Sequence, residues 1–399
     1  TMHKSQGFGS TGSRGFHEEF FEYVKGNKSE KLFDNGSSAN WLRVDGAAYI
    51  QDKVNAVIEH YEPRDPGAIV KELLLLRKDI AKINNEFWKE IKLREIDDLI
   101  VQCSGIYIEA KADDFSKTTG DSLFVDFEII QRTSGLNIEI ETISSSKLVY
   151  EYSVNKKLEP NKKEVITSKF IVPTLPVSQP YWLKEKANLG TYNVNDQNLI
   201  GVPENGPAIK FKARLKFEED IIEISFPLIY KKNDPVKGEL YRPFIITPKI
   251  TANLEQPIYL FSSTAPQKVI IKLTSNTNNQ KGLLELKAPE GWNLAYDKEF
   301  TLEKKHQEVK VIATVTASKE AKEGSLEVFI NGEKSRALNT IDYDHIPTQV
   351  WFPDSDTKLV FVDIQKKGKK VAYLSGAGDV VPESLRNIGY EVDILEESD

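Results

Sequence analysis

The residues of this chain with most to offer chemically stand at its start. His3-Lys4-Ser5-Gln6 brings an imidazole, an ammonium, a hydroxyl and an amide within four positions. Gly7, Gly9, Gly12 and Gly15 follow, with Arg14 beside the last of them. Glycines among small hydroxyl residues make a loop whose backbone N–H groups can approach an anion or a sugar. With one imidazole and Arg14, such a loop can stabilise an oxyanion made elsewhere, but it cannot generate a nucleophile. Gly7, Gly9 and Gly12 also satisfy the dinucleotide-binding spacing. That fingerprint follows a strand, and only six residues precede Gly7, so the match is read as coincidence. The bland alternative for the whole segment is a solvated loop.

Beyond it, the absences are informative. The histidines, His3, His17, His60, His306 and His345, are scattered over different elements, and no His-Glu-x-x-His, Cys-x-x-Cys or Walker loop occurs. No residue is therefore assigned as a metal ligand, and no cofactor is expected in this chain. The single cysteine, Cys103, excludes an internal disulfide framework. It falls on the apolar stripe of a predicted helix, where a thiol is buried and inert. A formal net charge of −7 argues against nucleic acid as partner. No run of about 18 apolar residues is present to span a membrane. The 399 residues predict two to four domains.

The elements that must position any site change character along the chain. A short helix is predicted over 17–24, with Phe20, Phe21 and Val24 on one side, and a longer one over 47–61. Asp65-Pro66 reads as an N-cap followed by a first-turn proline. The helix it starts carries Ile69, Leu73, Leu76, Ile80 and Ile83. Phe87, Ile91, Ile96, Leu99 and Cys103 mark another, ended by Gly105, and the two should form a hairpin. At Ile106 the period switches from 3.6 to 2. Segments 106–112, 122–130, 136–143, 147–154, 164–172, 208–217 and 220–230 read as seven strands of an Ig-like sandwich.

Between the fifth and sixth strands lies a proline- and glycine-rich insertion, 173–207, opening with Ser178-Gln179-Pro180-Tyr181-Trp182-Leu183. It reads as a long ordered loop pinned by its aromatic side chains. Trp182 can grip a sugar by stacking or belong to the insertion's own small core; the second reading is favoured, and the first stays open. A second β unit covers 244–343, with its clearest strands at 269–273, 282–286, 308–315 and 324–330. In its Ala288-Pro289-Glu290-Gly291-Trp292 turn, Trp292 should fold back onto the sandwich edge. From Leu359 onward the pattern is βαβ: a buried-type strand 370–374, a helix 383–387 beginning at Pro382, and a second parallel strand 389–395.

These features resemble the region downstream of the zinc motif in LmbE-like (PIG-L family) bacterial N-deacetylases. His3-Lys4-Ser5-Gln6 is similar to a His-x-Ser-Gln segment near the end of that family's catalytic domain. The Pro289–Trp292 turn resembles that of a galactosidase-associated Ig-like module. The Ser375-Gly376-Ala377-Gly378-Asp379 turn and its strands resemble the opening of an amidotransferase-like, flavodoxin-like domain. The resemblance implies a mixed, mainly β fold. Residues 1–62 would be the tail of a catalytic domain, 63–105 a helical hairpin, 106–243 and 244–343 two Ig-like sandwiches, and 344–399 an incomplete βαβ unit. It also implies a non-catalytic accessory portion of a zinc-dependent enzyme acting on N-acetylated amino sugars or their conjugates. The zinc and its Ala-His-Pro-Asp-Asp-Glu motif would lie in an upstream catalytic domain. His3 would then be the one candidate catalytic residue. Ser5, Gln6, Arg14 and Trp182 would be candidate substrate-binding residues for a glycan or amino-sugar conjugate. A periplasmic or extracellular bacterial location follows from the module resemblance. The alternative class is a stand-alone carbohydrate-binding or scaffold protein.

Overall fold

Strict alternation of apolar and polar residues from Ile106 onward produces strands with one dry face, and the computed structural model shows where that face goes. Residues 15–16, 18, 20–26, 28, 40–362, 364–376 and 379–396 are described. The first β unit contains β1 (Ile106–Ala112), β2 (Ser116–Lys117), β3 (Ser122–Gln131), β4 (Ile138–Ser145) and β5 (Tyr150–Lys157). It continues with β6 (Glu164–Ile171), β7 (Lys210–Phe217), β8 (Asp220–Asp234), β9 (Gly238–Pro243) and β10 (Ile245–Ile246). Strands are ordered β5-β4-β7-β8-β1-β3-β6, with β9 beside β8. The long β8 pairs antiparallel with β7 along its first half, then meets β1 in parallel at Ala110↔Leu228 and β9 at its end. One strand thus joins both halves of the unit. Phe127 and Phe211, both fully buried, meet edge to face at 4.8 Å in its centre. Tyr150 on β5 reaches Phe170 on β6 at 4.8 Å, so the ends of the strand path close over the same core. This is the predicted sandwich, with the insertion between β6 and β7.

Three helices cover it: α1 (Ala48–His60), α2 (Val70–Ile80) and α3 (Glu86–Cys103). Asn85 caps α3 by accepting from the Trp88 N–H at 3.1 Å. Gly105 ends it at φ +64°, where a Cβ would meet the Thr133 hydroxyl at 2.7 Å. Ile50, Leu73, Ile96 and Ile100 join one continuous core with the sandwich phenylalanines. Val44, Ala47 and Ile50, at the end of the expected tail, and the hairpin expected as a separate unit therefore share the sandwich's core. Two local expectations are corrected. Asp65 makes no side-chain cap, and Pro66 opens a 3-10 turn, Pro66–Ile69, that leads into α2. Residues 18 and 20–24 are not helical, and Phe20, Phe21 and Val24 are exposed. An amphipathic pattern with no surface to bury against does not stabilise a helix.

The second sandwich begins with β11 (Ile250–Leu254), β12 (Ile258–Phe261), β13 (Gln267–Ser275), β14 (Gln280–Lys287) and β15 (Trp292–Ala295). Then come β16 (Glu299–Leu302), β17 (Glu308–Ala317), β18 (Gly324–Ile330), β19 (Glu333–Lys334), β20 (Asn339–Ile341), β21 (Gln349–Trp351) and β22 (Asp356–Phe361). A four-stranded sheet, β11-β13-β17-β15, faces a sheet ordered β12-β22-β18-β14-β16. β22 sits inside the second sheet, parallel to β12 and antiparallel to β18, with Leu359 fully buried. The sandwich therefore runs to Phe361, past the boundary expected at 343, and Leu359 belongs to its core. Beyond it, β23 (Lys370–Leu374) and β24 (Glu391–Leu395) pair in parallel across α4 (Val381–Asn387). The predicted βαβ order holds, and the helix begins one residue before Pro382. Its strands are half-exposed along their length, so β23 is not the buried-type strand expected.

Candidate functional site

The insertion's irregular backbone needs partners for its peptide groups, and it finds them on β10 and on the β20–β21 pair between the two sandwiches. Ser178 donates its N–H to Ile246 O at 2.9 Å, and its hydroxyl accepts from the Ile246 N–H at 3.0 Å. Trp351 Nε1 donates to Leu183 O at 3.2 Å, and Phe352 N donates to Gln179 Oε1 at 3.3 Å. Within the loop, Tyr181 is structural: its hydroxyl donates to Val202 O at 2.9 Å and its N–H to Asn205 Oδ1 at 2.9 Å. Asn205 in turn donates to Gln179 O. These contacts hold Tyr181–Leu183 as one 3-10 turn while Gln197–Leu199 forms another.

Between those turns opens a cleft of about 770 Å³. Trp182, half-buried, stands edge to face with Tyr181 at 4.9 Å and lines it, together with Thr191, Tyr192, Gln197 and Ile200. Trp182 thus packs against Tyr181 within the insertion and also borders an opening. Its indole N–H meets no acceptor among the described residues. None of the eleven lining residues carries a charge. Apolar and aromatic walls with a few neutral hydrogen-bonding groups suit an uncharged polar ligand, and they offer nothing to neutralise a phosphate. The sequence pointed to Tyr181, Trp182 and Tyr192 by aromatic density. It missed Asn205, whose Asn-Gly-Pro context reads only as a turn.

His3, Ser5, Gln6 and Arg14 lie outside the described residues. Zinc, which the resemblance places in an upstream domain, finds no site among the described ones, where no three His, Cys, Asp or Glu side chains gather to hold a metal. His60 pairs with Glu72 at 3.0 Å, His306 faces Phe115, and His345 lies 5.9 Å from Tyr343. These three imidazoles do not converge. Cys103 is half-buried, and burial pushes its thiol up, away from the reactive thiolate. Among the described residues, no helix is long and apolar enough to cross a membrane.

Two carboxylates are buried among the described residues, Asp79, which pairs with Lys53 and Lys82, and Glu109 on β1, and both sites are closed rather than open. Tyr107 donates its hydroxyl to Glu109 Oε2 at 2.6 Å, and Lys231 Nζ stands 2.9 Å from Oε1. The lysine contact is ionic more than a directed hydrogen bond, since Oε1 has no aligned donor. Burial first, and then Glu109, push the Tyr107 hydroxyl far above its usual range. Glu109 likewise raises Lys231. Each charge is satisfied within the sheet, the mark of a structural pair.

No family model and no curated protein matches the chain. Among solved structures, it is similar to alpha-2-macroglobulin of Escherichia coli activated by porcine elastase, at 9% identity and a TM-score of 0.22. It is likewise similar to Salmonella alpha-2-macroglobulin reacted with methylamine, at 10% identity and a TM-score of 0.22. Each alignment covers 64% of this chain but only 22% and 16% of those proteins, so the chain spans less than a quarter of their length. A type II cohesin dyad from the adaptor ScaA scaffoldin of Acetivibrio cellulolyticus aligns over 65% of this chain and 98% of its own, at 9% identity and a TM-score of 0.12. Likenesses this low carry no argument about fold or function.

Proposed function

We propose that this chain is a non-catalytic accessory portion of a PIG-L/LmbE-like N-deacetylase, and that its insertion cleft holds a glycan or amino-sugar conjugate. The observation that supports it most is the uncharged cleft beside Trp182, in a loop tied to β10 through Ser178 and to β21 through the Trp351 indole. A sugar presents an apolar ring face to an indole and hydroxyls to neutral donors and acceptors such as Gln197, Thr191 and Tyr192. A loop anchored this firmly spends little conformational entropy on binding. The sandwiches then act as a rigid arm carrying the ligand, and hydrolysis belongs to a zinc domain outside this chain.

The test is calorimetric titration of the 399-residue chain with N-acetylglucosamine oligomers, alongside Trp182→Ala. Saturable binding lost in the variant is expected. Equal binding by both proteins removes the cleft from the reading, and no binding of any neutral saccharide removes the glycan. An Ala-His-Pro-Asp-Asp-Glu stretch upstream in the same reading frame separates the accessory role from a stand-alone carbohydrate-binding or scaffold protein. N-deacetylase turnover by this chain alone would overturn the accessory reading.

A further inference from the structure

Where the two sandwiches meet, a guanidinium is held without an anion. Arg242 on β9 lies over the ring of Phe115, 3.8 Å from its centroid. It is half-buried, and among the described residues its five N–H donors have no hydrogen-bond acceptor and no ion pair. Burial lowers its affinity for a proton, though not enough to discharge a guanidinium. The carboxylates of Asp342 and Asp114 act on it only from a distance. Asp114 is already taken: Lys305 Nζ stands 2.7 Å from it and donates also to Ser116 O at 2.6 Å. That lysine comes from the turn between β16 and β17, so the contact crosses from one sandwich to the other.

His306 follows Lys305 in the same turn, at φ +65°, a left-handed conformation held by its N–H to Ser275 O at 2.7 Å. Its ring lies parallel to Phe115, at 8° and 6.1 Å, while Tyr230 meets that phenylalanine edge-on. Its ring nitrogens meet no partner among the described residues. Burial chiefly, and then Lys305 and Arg242, hold its pKa below the usual range, with Asp114 opposing them. Lys305 and Arg242 thus oppose Asp114 at His306, while the charges that act on Arg242 are the distant carboxylates of Asp342 and Asp114, and neither Arg242 nor His306 has a hydrogen-bond partner among the described residues. Glu109 and Lys231 show what the same fold does when a buried charge is merely structural: it supplies the partner.

We propose that Arg242 and His306, packed around Phe115, form a binding site for one oxyanion group, a carboxylate or a phosphate, at the joint of the two sandwiches. The anion would take the guanidinium fork in a bidentate pair and one imidazole N–H. Because Arg242 and Phe115 belong to the first sandwich and His306 to the second, occupancy also stiffens the joint. The site stands apart from the uncharged insertion cleft and does not depend on what that cleft binds.

Sulfate, whose charge is constant between pH 5 and 8, is the first probe, exchanged for chloride at fixed ionic strength and followed by the His306 imidazole resonances of the 399-residue chain. His306→Gln identifies those resonances. A saturable shift, with His306 titrating at higher pH when sulfate is bound, is expected. Arg242→Ala should abolish it, and Arg242→Lys, which keeps the charge without the fork, should weaken it about tenfold. Unaltered His60 and His345 resonances report that each variant is folded; if Arg242→Ala is not, the lysine variant decides. A shift that never saturates, or equal shifts in wild type and variant, overturns the site. Methyl phosphate and acetate then tell its class. A response to methyl phosphate alone identifies phosphate, a response to acetate alone identifies a carboxylate, and a response to neither overturns the proposal.

Discussion

Two tryptophans follow proline-containing turns in this molecule, and the fold treats them in opposite ways. Trp292, in the second sandwich, is 8% exposed, donates its Nε1 proton to Lys322 O at 2.8 Å and meets Phe261 edge-on at 4.8 Å. Trp182, in the insertion, meets Tyr181 at a similar 4.9 Å, yet borders an opening, and its indole N–H meets no acceptor among the described residues. A buried indole must find an acceptor, because an unmet donor away from water costs about 1–3 kcal/mol. An indole at a cleft wall finds water until a ligand arrives. Ring contacts therefore do not distinguish a core aromatic from a binding one; the fate of the N–H does.

The largest effect that sharpens this contrast is on stability. Trp292→Ala removes a buried ring and its hydrogen bond and should cost about 3–5 kcal/mol. Trp182→Ala empties only a half-buried position and should cost about 1 kcal/mol. Urea midpoints of the two variants measure the difference, and equal losses would mean that the insertion is as tightly cored as the sandwich.

Next in size is a pair of glycines beside these rings. Gly291 and Gly190 both adopt positive φ, +89° and +81°. A Cβ at Gly291 would come within 2.7 Å of Ala321 Cα, whereas at Gly190, on the cleft rim, it would meet nothing within 4 Å. Gly190→Ala should therefore cost only the left-handed strain, about 1 kcal/mol. Gly291→Ala adds a backbone clash and should cost about 2–4 kcal/mol in all. Thermal unfolding of both variants checks this, and the comparison breaks if Gly190→Ala is the more damaging.

How much of this was legible in the sequence follows from how local each signal is. Period-two alternation placed all seven main strands of the first sandwich, because Phe127 and Phe211 sit on alternating, wholly dry faces. The helices α1 to α3 were equally plain, but the face of α3 was not: Phe87 and Leu99, read as part of its apolar stripe, are exposed, while Ile100 is buried beside Ile96. β22 was not: its partners lie at 258–261 and 324–327, and nothing within Asp356–Phe361 announces a parallel pairing a hundred residues away. The 17–24 pattern misled for the opposite reason, since amphipathicity shows what a helix would bury and not whether a surface exists for it. The aromatic density of the insertion was visible, but its lack of charge became meaningful only once the fold selected which residues line the cleft. Nothing in the sequence joins Arg242, Phe115 and His306, because 127 positions separate Phe115 from Arg242 and 191 separate it from His306. His3, Ser5, Gln6 and Arg14 stand outside the described residues, so their role rests on the resemblance.

The smallest predicted effect concerns the joint that separates the two tryptophans. His306 holds its proton less tightly in the folded chain than at its ordinary value of 6.5, chiefly because it is partly buried, with Lys305 and Arg242 adding to the effect. As pH falls through about 6.5, the unfolded chain takes up this proton first, so folding stability decreases with acid and recovers above that pH. The sign is opposite to that of a histidine stabilised by a carboxylate. In sulfate-free buffer, the melting temperature should therefore fall slightly between pH 7.5 and 5.5, and His306→Gln should flatten that part of the profile. The loss should be felt at the insertion before it is felt at Trp292. The insertion is tied across the joint by the Trp351–Leu183 hydrogen bond, whereas Trp292 draws its contacts from within its own sandwich. Amide protection, taken relative to the intrinsic exchange rate at each pH, that falls near Trp182 at pH 5.5 while it holds near Trp292 would bear this out; an equal fall at both, or an unchanged profile in His306→Gln, would place the acid-sensitive group elsewhere.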